Sequence, residues 1–182
     1  MPHRFPGGLP ATPTPEDISA FCTAARENDT ATVGEYLDRF GKAIIDKQDT
    51  NKDTALSWAS WMGHIETVEL LLERGADINA RGMSERTPLG WATKGHRMEV
   101  LNLLLEKGAD IHLRDEDSKT PADIADDAGR ASIAKIIRDA GAKRDKEIAA
   151  AAAKKKAEED GKTLAAKRQE ALKNRKIPKL KP

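Results

Sequence analysis

Thr54-Ala55-Leu56-Ser57-Trp58-Ala59 comes back 33 residues later as Thr87-Pro88-Leu89-Gly90-Trp91-Ala92, and once more as Thr120-Pro121-Ala122-Asp123-Ile124-Ala125. Each copy is followed, 21 residues after its Thr, by Gly-Ala: Gly75-Ala76, Gly108-Ala109 and Gly141-Ala142. A fixed period of this length means stacked copies of one supersecondary unit rather than a closed globule around a catalytic cleft. The pattern therefore points to a binding surface and away from an enzyme.

Working outward from that block, Thr54–Met62 reads as a short helix and Ile65–Arg74 as a second. Gly63-His64 lies between them, the glycine supplying the left-handed residue that ends a helix. Val68, Leu71 and Leu72 have the three-to-four spacing of a buried stripe, as do Val100, Leu101, Leu104 and Leu105 in the next copy. Upstream, Thr14-Pro15-Glu16-Asp17 is a helix start: a hydroxyl to cap the first amides, proline at the first position and acids near the positive helix end. Two helices are predicted there, at about 16–27 and 31–39.

These residues resemble the ankyrin-repeat family. Leu70-Leu71-Leu72-Glu73-Arg74-Gly75-Ala76-Asp77-Ile78-Asn79-Ala80 is close to that family's pattern, and Thr-Pro-Leu recurs at Thr87-Pro88-Leu89. A first, weaker repeat is visible in Ala24-Ala25-Arg26, Val33, Tyr36-Leu37 and Asp46, with about two extra residues near Phe40–Ile44. The resemblance implies an all-α solenoid of helix-turn-helix repeats with protruding hairpin loops. It places repeats at about 16–48, 49–81, 82–114 and 115–142 within a domain at 14–142. A disordered Pro/Gly-rich leader is expected at 1–13, and a basic, Ala/Lys-rich, partly helical tail at 143–182, weakened at Gly161 and ended by Pro178. Two departures from the family matter. Its histidine after Thr-Pro-Leu is replaced by Ser57, Gly90 and Asp123, which alters the bonds that residue makes between repeats. Gly95-His96 also comes one residue early, so a distorted turn is expected there.

The chain has 182 residues and a formal net charge of +1. That figure hides an asymmetry. Residues 143–182 carry 14 Lys+Arg against 6 Asp+Glu, and residues 1–142 carry 17 against 24. An acidic body and a basic tail are expected. The single cysteine, Cys22, excludes an internal disulfide, and its place mid-helix predicts an inert thiol. No signal-peptide core or membrane-length apolar run is present. A cytoplasmic monomer is the expectation. The four histidines have no zinc spacing, and no Gly-rich loop follows a strand to cradle phosphate. No metal, cofactor or catalytic residue is therefore assigned.

The resemblance implies that partners are met by the concave groove and the hairpin tips. Trp61 falls at a variable groove position, followed by Met62. It is either an exposed anchor, as Trp beside Met often is, or packed against the first repeat. Lys94 holds the matching position in the next repeat. The tips contribute Asn51, Asp53, Met83, Arg86, Glu116 and Asp117. Trp58 and Trp91 are read as core, His64 as a structural turn residue, and Asp126 and Asp127 as the polar face of a capping repeat. The expected function is non-catalytic binding of a protein partner as an adaptor or scaffold. The alternatives are association with nucleic acid or anionic membrane through the tail, or a secreted, host-directed effector.

Overall fold

The computed structural model of the chain describes residues 12–173, in two units, Met1–Ala140 and Gly141–Pro182. The first unit is built from helix pairs. They are α1 (Pro15–Arg26) with α2 (Thr30–Phe40), α3 (Ala55–Met62) with α4 (Ile65–Glu73), and α5 (Pro88–Lys94) with α6 (Met98–Glu106). The last pair is α7 (Pro121–Asp127) with the start of α8 (Ala131–Lys173). Helices α1, α3, α5 and α7 pack side by side as one row, and α2, α4 and α6 form a second. No strand occurs among the described residues.

The helix starts follow from the sequence. The side chains of Thr14, Thr54, Thr87 and Thr120 each accept from the amide three residues on. Asp17 and Asp123 complete the exchange by accepting from the Thr14 and Thr120 amides. This reciprocal cap satisfies two amides that the helix itself leaves unpaired. Between the rows lies an apolar core in which Phe21, Val33, Leu56, Val68, Leu71, Leu89, Leu101 and Leu104 are fully buried. Each helix alone is too short to persist, so this interlayer burial is what holds it.

The turn expected to be distorted keeps its geometry. The four turns inside the helix pairs place Asn28, Gly63, His96 and Gly129 in the left-handed region, at φ of 60°, 89°, 58° and 69°. In the third repeat His96 performs the glycine's task, and Gly95 stays right-handed. A side chain in that region costs about 1–2 kcal/mol, part of which the lower chain entropy of a non-glycine residue returns. His96→Gly is therefore expected to raise the unfolding free energy by about 0.5–1 kcal/mol. Urea denaturation checks this, and an unchanged or lower midpoint would contradict the assignment.

Bonds between repeats are made from the turn that joins each helix pair. His64 Nε2 lies 2.9 Å from the Arg26 carbonyl; the carbonyl only accepts, so Nε2 carries the proton. Arg97 Nε donates to the Trp61 carbonyl at 2.8 Å, and the Arg130 guanidinium donates to the Thr93 carbonyl at 3.1 Å. Positions 64, 97 and 130 are spaced by the repeat and each stitches its repeat to the one before. A second ladder runs along the hairpins. Gln48 donates to the Arg81 carbonyl, and Arg81 to the Arg114 carbonyl.

Repeat four departs from the other copies at its end. Gly75 and Gly108 end α4 and α6 at φ of 89°, but Gly141-Ala142 lies inside α8. Helix-favouring Lys143-Arg144-Asp145-Lys146 follows it, in place of the Asp-Ile that opens a hairpin after Gly75 and Gly108. In the second unit α8 passes through Gly161 without a break. The cost of that glycine, about 1 kcal/mol, is carried by the Ala, Lys and Glu residues around it. The expected leader, apart from residues 12 and 13, and Pro178 lie outside the described residues. No helix among the described residues is long and apolar enough to cross a membrane.

Candidate functional site

The site grows from three tryptophans. Trp58 and Trp61 are three residues apart on α3 and so share a face. Trp91, from α5, repeats the Trp58 position one period later. Their rings form one run: Trp58 and Trp61 have centroids 5.6 Å apart at 20°, and Trp61 and Trp91 5.0 Å apart at 25°. Offset stacking of this kind adds to plain area burial. Trp91 is 1% exposed, as expected of a core residue. Trp58 is half-buried, with Nε1 donating to Asp49 Oδ2 at 2.9 Å.

Trp61 is half-buried. The rings stacked on it come from its own repeat and the next. Its partial exposure leaves the anchor reading available. The early Gly95 is explained here. A Cβ at Gly95 would lie 2.7 Å from the Trp61 carbonyl oxygen and 2.8 Å from its Cδ1. Only glycine lets the two inner helices close over that ring, and the left-handed turn moves on to His96.

Cations edge the stack. The Arg26 guanidinium lies 5.5 Å from the Trp58 ring centre, Arg86 4.7 Å from that of Trp91, and Lys94 Nζ 5.3 Å from the same ring. Each distance is within cation–π range. Once the two extra residues of repeat one are allowed for, Arg26, Trp61, Lys94 and Asp127 occupy one row across the inner helices. Sequence reading placed Trp61 and Lys94 on it but missed Arg26, which the same alignment would have supplied. Met62 is half-buried beside Trp61, and Lys94 is exposed.

Two expected tip contacts are corrected. Asp53 is 1% exposed and Arg86 7%, so neither is free to meet a partner. Asp53 folds into the next repeat, where its Oδ1 accepts from the Met83 amide at 3.0 Å. It fills the space beside Gly82, where a Cβ would come within 2.2 Å of that oxygen. Burial pushes the Asp53 carboxyl above the usual carboxylate range, and the Met83 hydrogen bond offsets this only in part. Gly82 stands where repeats two and four have Asp49 and Asp115, which accept from their own tip amides. Lacking that aspartate, Trp91 Nε1 is turned instead to the Asp53 carboxyl, whose pKa it helps to lower, though outside the close hydrogen-bond geometry that Trp58 has with Asp49.

Arg86 is buried for a related reason. A Cβ at Gly90, the residue replacing the family histidine, would lie 2.7 Å from Arg86 Cγ. The space that glycine leaves admits Arg86, which crosses Trp91 and donates to Asp115 Oδ2 at 2.7 Å. Burial alone would raise the Asp115 carboxyl, but the Arg86 guanidinium and the Lys119 and Asp117 amides outweigh it, so its pKa lies below the usual range.

The remaining tip residues, Asn51, Met83, Glu116 and Asp117, are exposed, Met83 at 40%. The Glu116 amide donates to the Ser84 carbonyl, linking the third and fourth tips. Asp126 pairs with Arg138, and Lys119 pairs with Asp127 at 2.6 Å. The acids of the last repeat thus meet basic neighbours in an exposed ionic network. Cys22 is buried, and desolvation pushes its thiol up to about 12, so no thiolate forms near neutrality.

Comparison with protein families gives two matches: ankyrin repeats (3 copies) over residues 9–82, and ankyrin repeats (many copies) over residues 62–105.

Proposed function

Because this chain belongs to the ankyrin-repeat family, whose repeats are generally protein–protein interaction modules and typically non-catalytic, we propose that it binds a protein partner across the open face of its inner helices. Trp61 is the central anchor. Met62 and Lys94 flank it, and the exposed tip residues Asn51, Met83, Glu116 and Asp117 form the rim. One observation carries this reading: a half-exposed indole held between Trp58 and Trp91, at ring spacings of 5.6 and 5.0 Å. A ring fixed by its neighbours loses little freedom on binding, which is why rigid aromatics concentrate binding energy.

Trp61→Ala is expected to cost about 2 kcal/mol of binding, roughly 30-fold in affinity. The check is capture from nuclease-treated lysate with the intact protein, the Trp61→Ala variant and a chain ending at Ala142. A partner lost with Trp61 and kept by the shortened chain supports the reading. Capture that depends only on residues beyond Ala142 would transfer the function to the basic tail.

A further inference from the structure

Building on the reading that the inner face is the binding surface, we propose that its occupant is an extended acidic segment of the partner, with an apolar side chain on Trp61 and carboxylates to either side. Charge segregation on this face carries the inference. Residues 1–142 hold 17 basic against 24 acidic side chains, so an average patch of this unit is acidic. The strip around Trp61 is not. Arg26 and Lys94 lie in the same row on the neighbouring helices, and both are exposed. Each is set against the tryptophan run, 5.5 Å from Trp58 and 5.3 Å from Trp91.

Their charges are left largely uncompensated. Arg97 and Arg130 donate to neutral carbonyls of Trp61 and Thr93. Among the described residues no carboxylate pairs with Lys94, Arg97 or Arg130. Among the described residues the carboxylate paired with Arg26 is Glu27, at 3.7 Å in an exposed pair, which is weak. Asp127, next in the row, and Asp126 beside it are engaged by Lys119 and Arg138, and Asp49 at the far end of the run accepts from Trp58 Nε1. The result is an aromatic patch bordered by positioned cations, with one carboxylate, Asp49, occupied by the Trp58 indole, inside an otherwise acidic unit.

Such a strip selects by charge. A carboxylate at the edge of the patch gains a charge-assisted hydrogen bond, whereas a basic segment meets like charge. Nucleic acid fits less well, because a long polyanion tracks far beyond the strip and meets the acidic surface around it. A short acidic segment with one apolar anchor matches the strip in both charge and extent.

The test uses the full chain and three labelled peptides, followed by fluorescence anisotropy. They are an acidic Asp-Glu-Leu-Phe-Glu-Asp, a neutral analogue with Ser and Gln at the charged positions, and a basic analogue with Lys there. Saturable binding of the acidic peptide is expected, weakened about tenfold or more by Arg26→Glu/Lys94→Glu and by Trp61→Ala, and reduced by salt. The basic tail is identical in these variants, so loss in them reports the strip. Arg26→Gln/Lys94→Gln, with circular dichroism, guards against a folding defect. Acidic-peptide binding that both charge variants leave unchanged would overturn the proposal, as would no binding up to about 1 mM. Preference for the neutral or basic peptide that still depends on Trp61 would overturn the acidic assignment while leaving the inner face as the binding surface.

Discussion

Asp115→Ala is expected to destabilise the repeat unit by about 3–5 kcal/mol, the cost of leaving a buried charge without its partner. The side chains of Arg86 and Asp115 are 8% and 2% exposed and lie 2.7 Å apart. With the carboxylate gone, the guanidinium stays desolvated, and its Nε already lacks a hydrogen-bond partner among the described residues. Arg86→Met should cost clearly less. It keeps an apolar stem over Trp91 and leaves Asp115 with the amides of Asp117 and Lys119. Because stacked repeats are coupled mainly to their neighbours, the loss should appear first in repeat four, as faster amide exchange in α7. The sign of the pH effect follows from the lowered pKa of Asp115. The native state binds fewer protons than the unfolded chain there, so the contribution is complete above about pH 4 and fades as acid titrates the carboxyl through its lower folded value. A loss under about 1 kcal/mol for Asp115→Ala would mean the pair is solvated.

Trp91→Ala should be comparably damaging, at about 3–5 kcal/mol. The ring is 1% exposed, so its removal opens a cavity at the junction of repeats two and three. It also removes the surface on which Trp61 stacks and over which Arg86 and Lys94 lie. Trp61→Ala gives the informative contrast. That residue is only half-buried, so its loss should affect stability less than Trp91→Ala and binding more directly. Thermal unfolding of the two variants beside intact protein separates the roles. Equal stability losses would mean that Trp61 is a core residue like Trp91 and would weaken its standing as an anchor.

The architecture was legible because the 33-residue period, the Thr caps and the leucine stripes are local signals that repeat. Helices predicted at 16–27 and 31–39 are found at Pro15–Arg26 and Thr30–Phe40. What the sequence hid was contact between repeats. Asp53 and Arg86 sit at tip positions, yet Gly82 and Gly90 open space beside them into which they fold. Nothing in the local pattern reveals such a space. The early Gly95 reads as an irregularity until Trp61 is placed against it. Arg97 and Arg130 stand where the best repeat has histidine, and their stitching bonds need the preceding repeat's carbonyls in position. The row through Arg26, Trp61 and Lys94 could have been completed from alignment alone.

Binding by the inner face is tested by site-specific photo-crosslinking in native lysate, with a photoreactive residue placed in turn at Met62 on the inner face, at Glu69 on α4, and at Ala165 in α8. A discrete protein adduct is expected from position 62 that disappears with Trp61→Ala, and none from position 69 or 165. Adducts that form only from α4 or α8, or that persist at position 62 without Trp61, would contradict it.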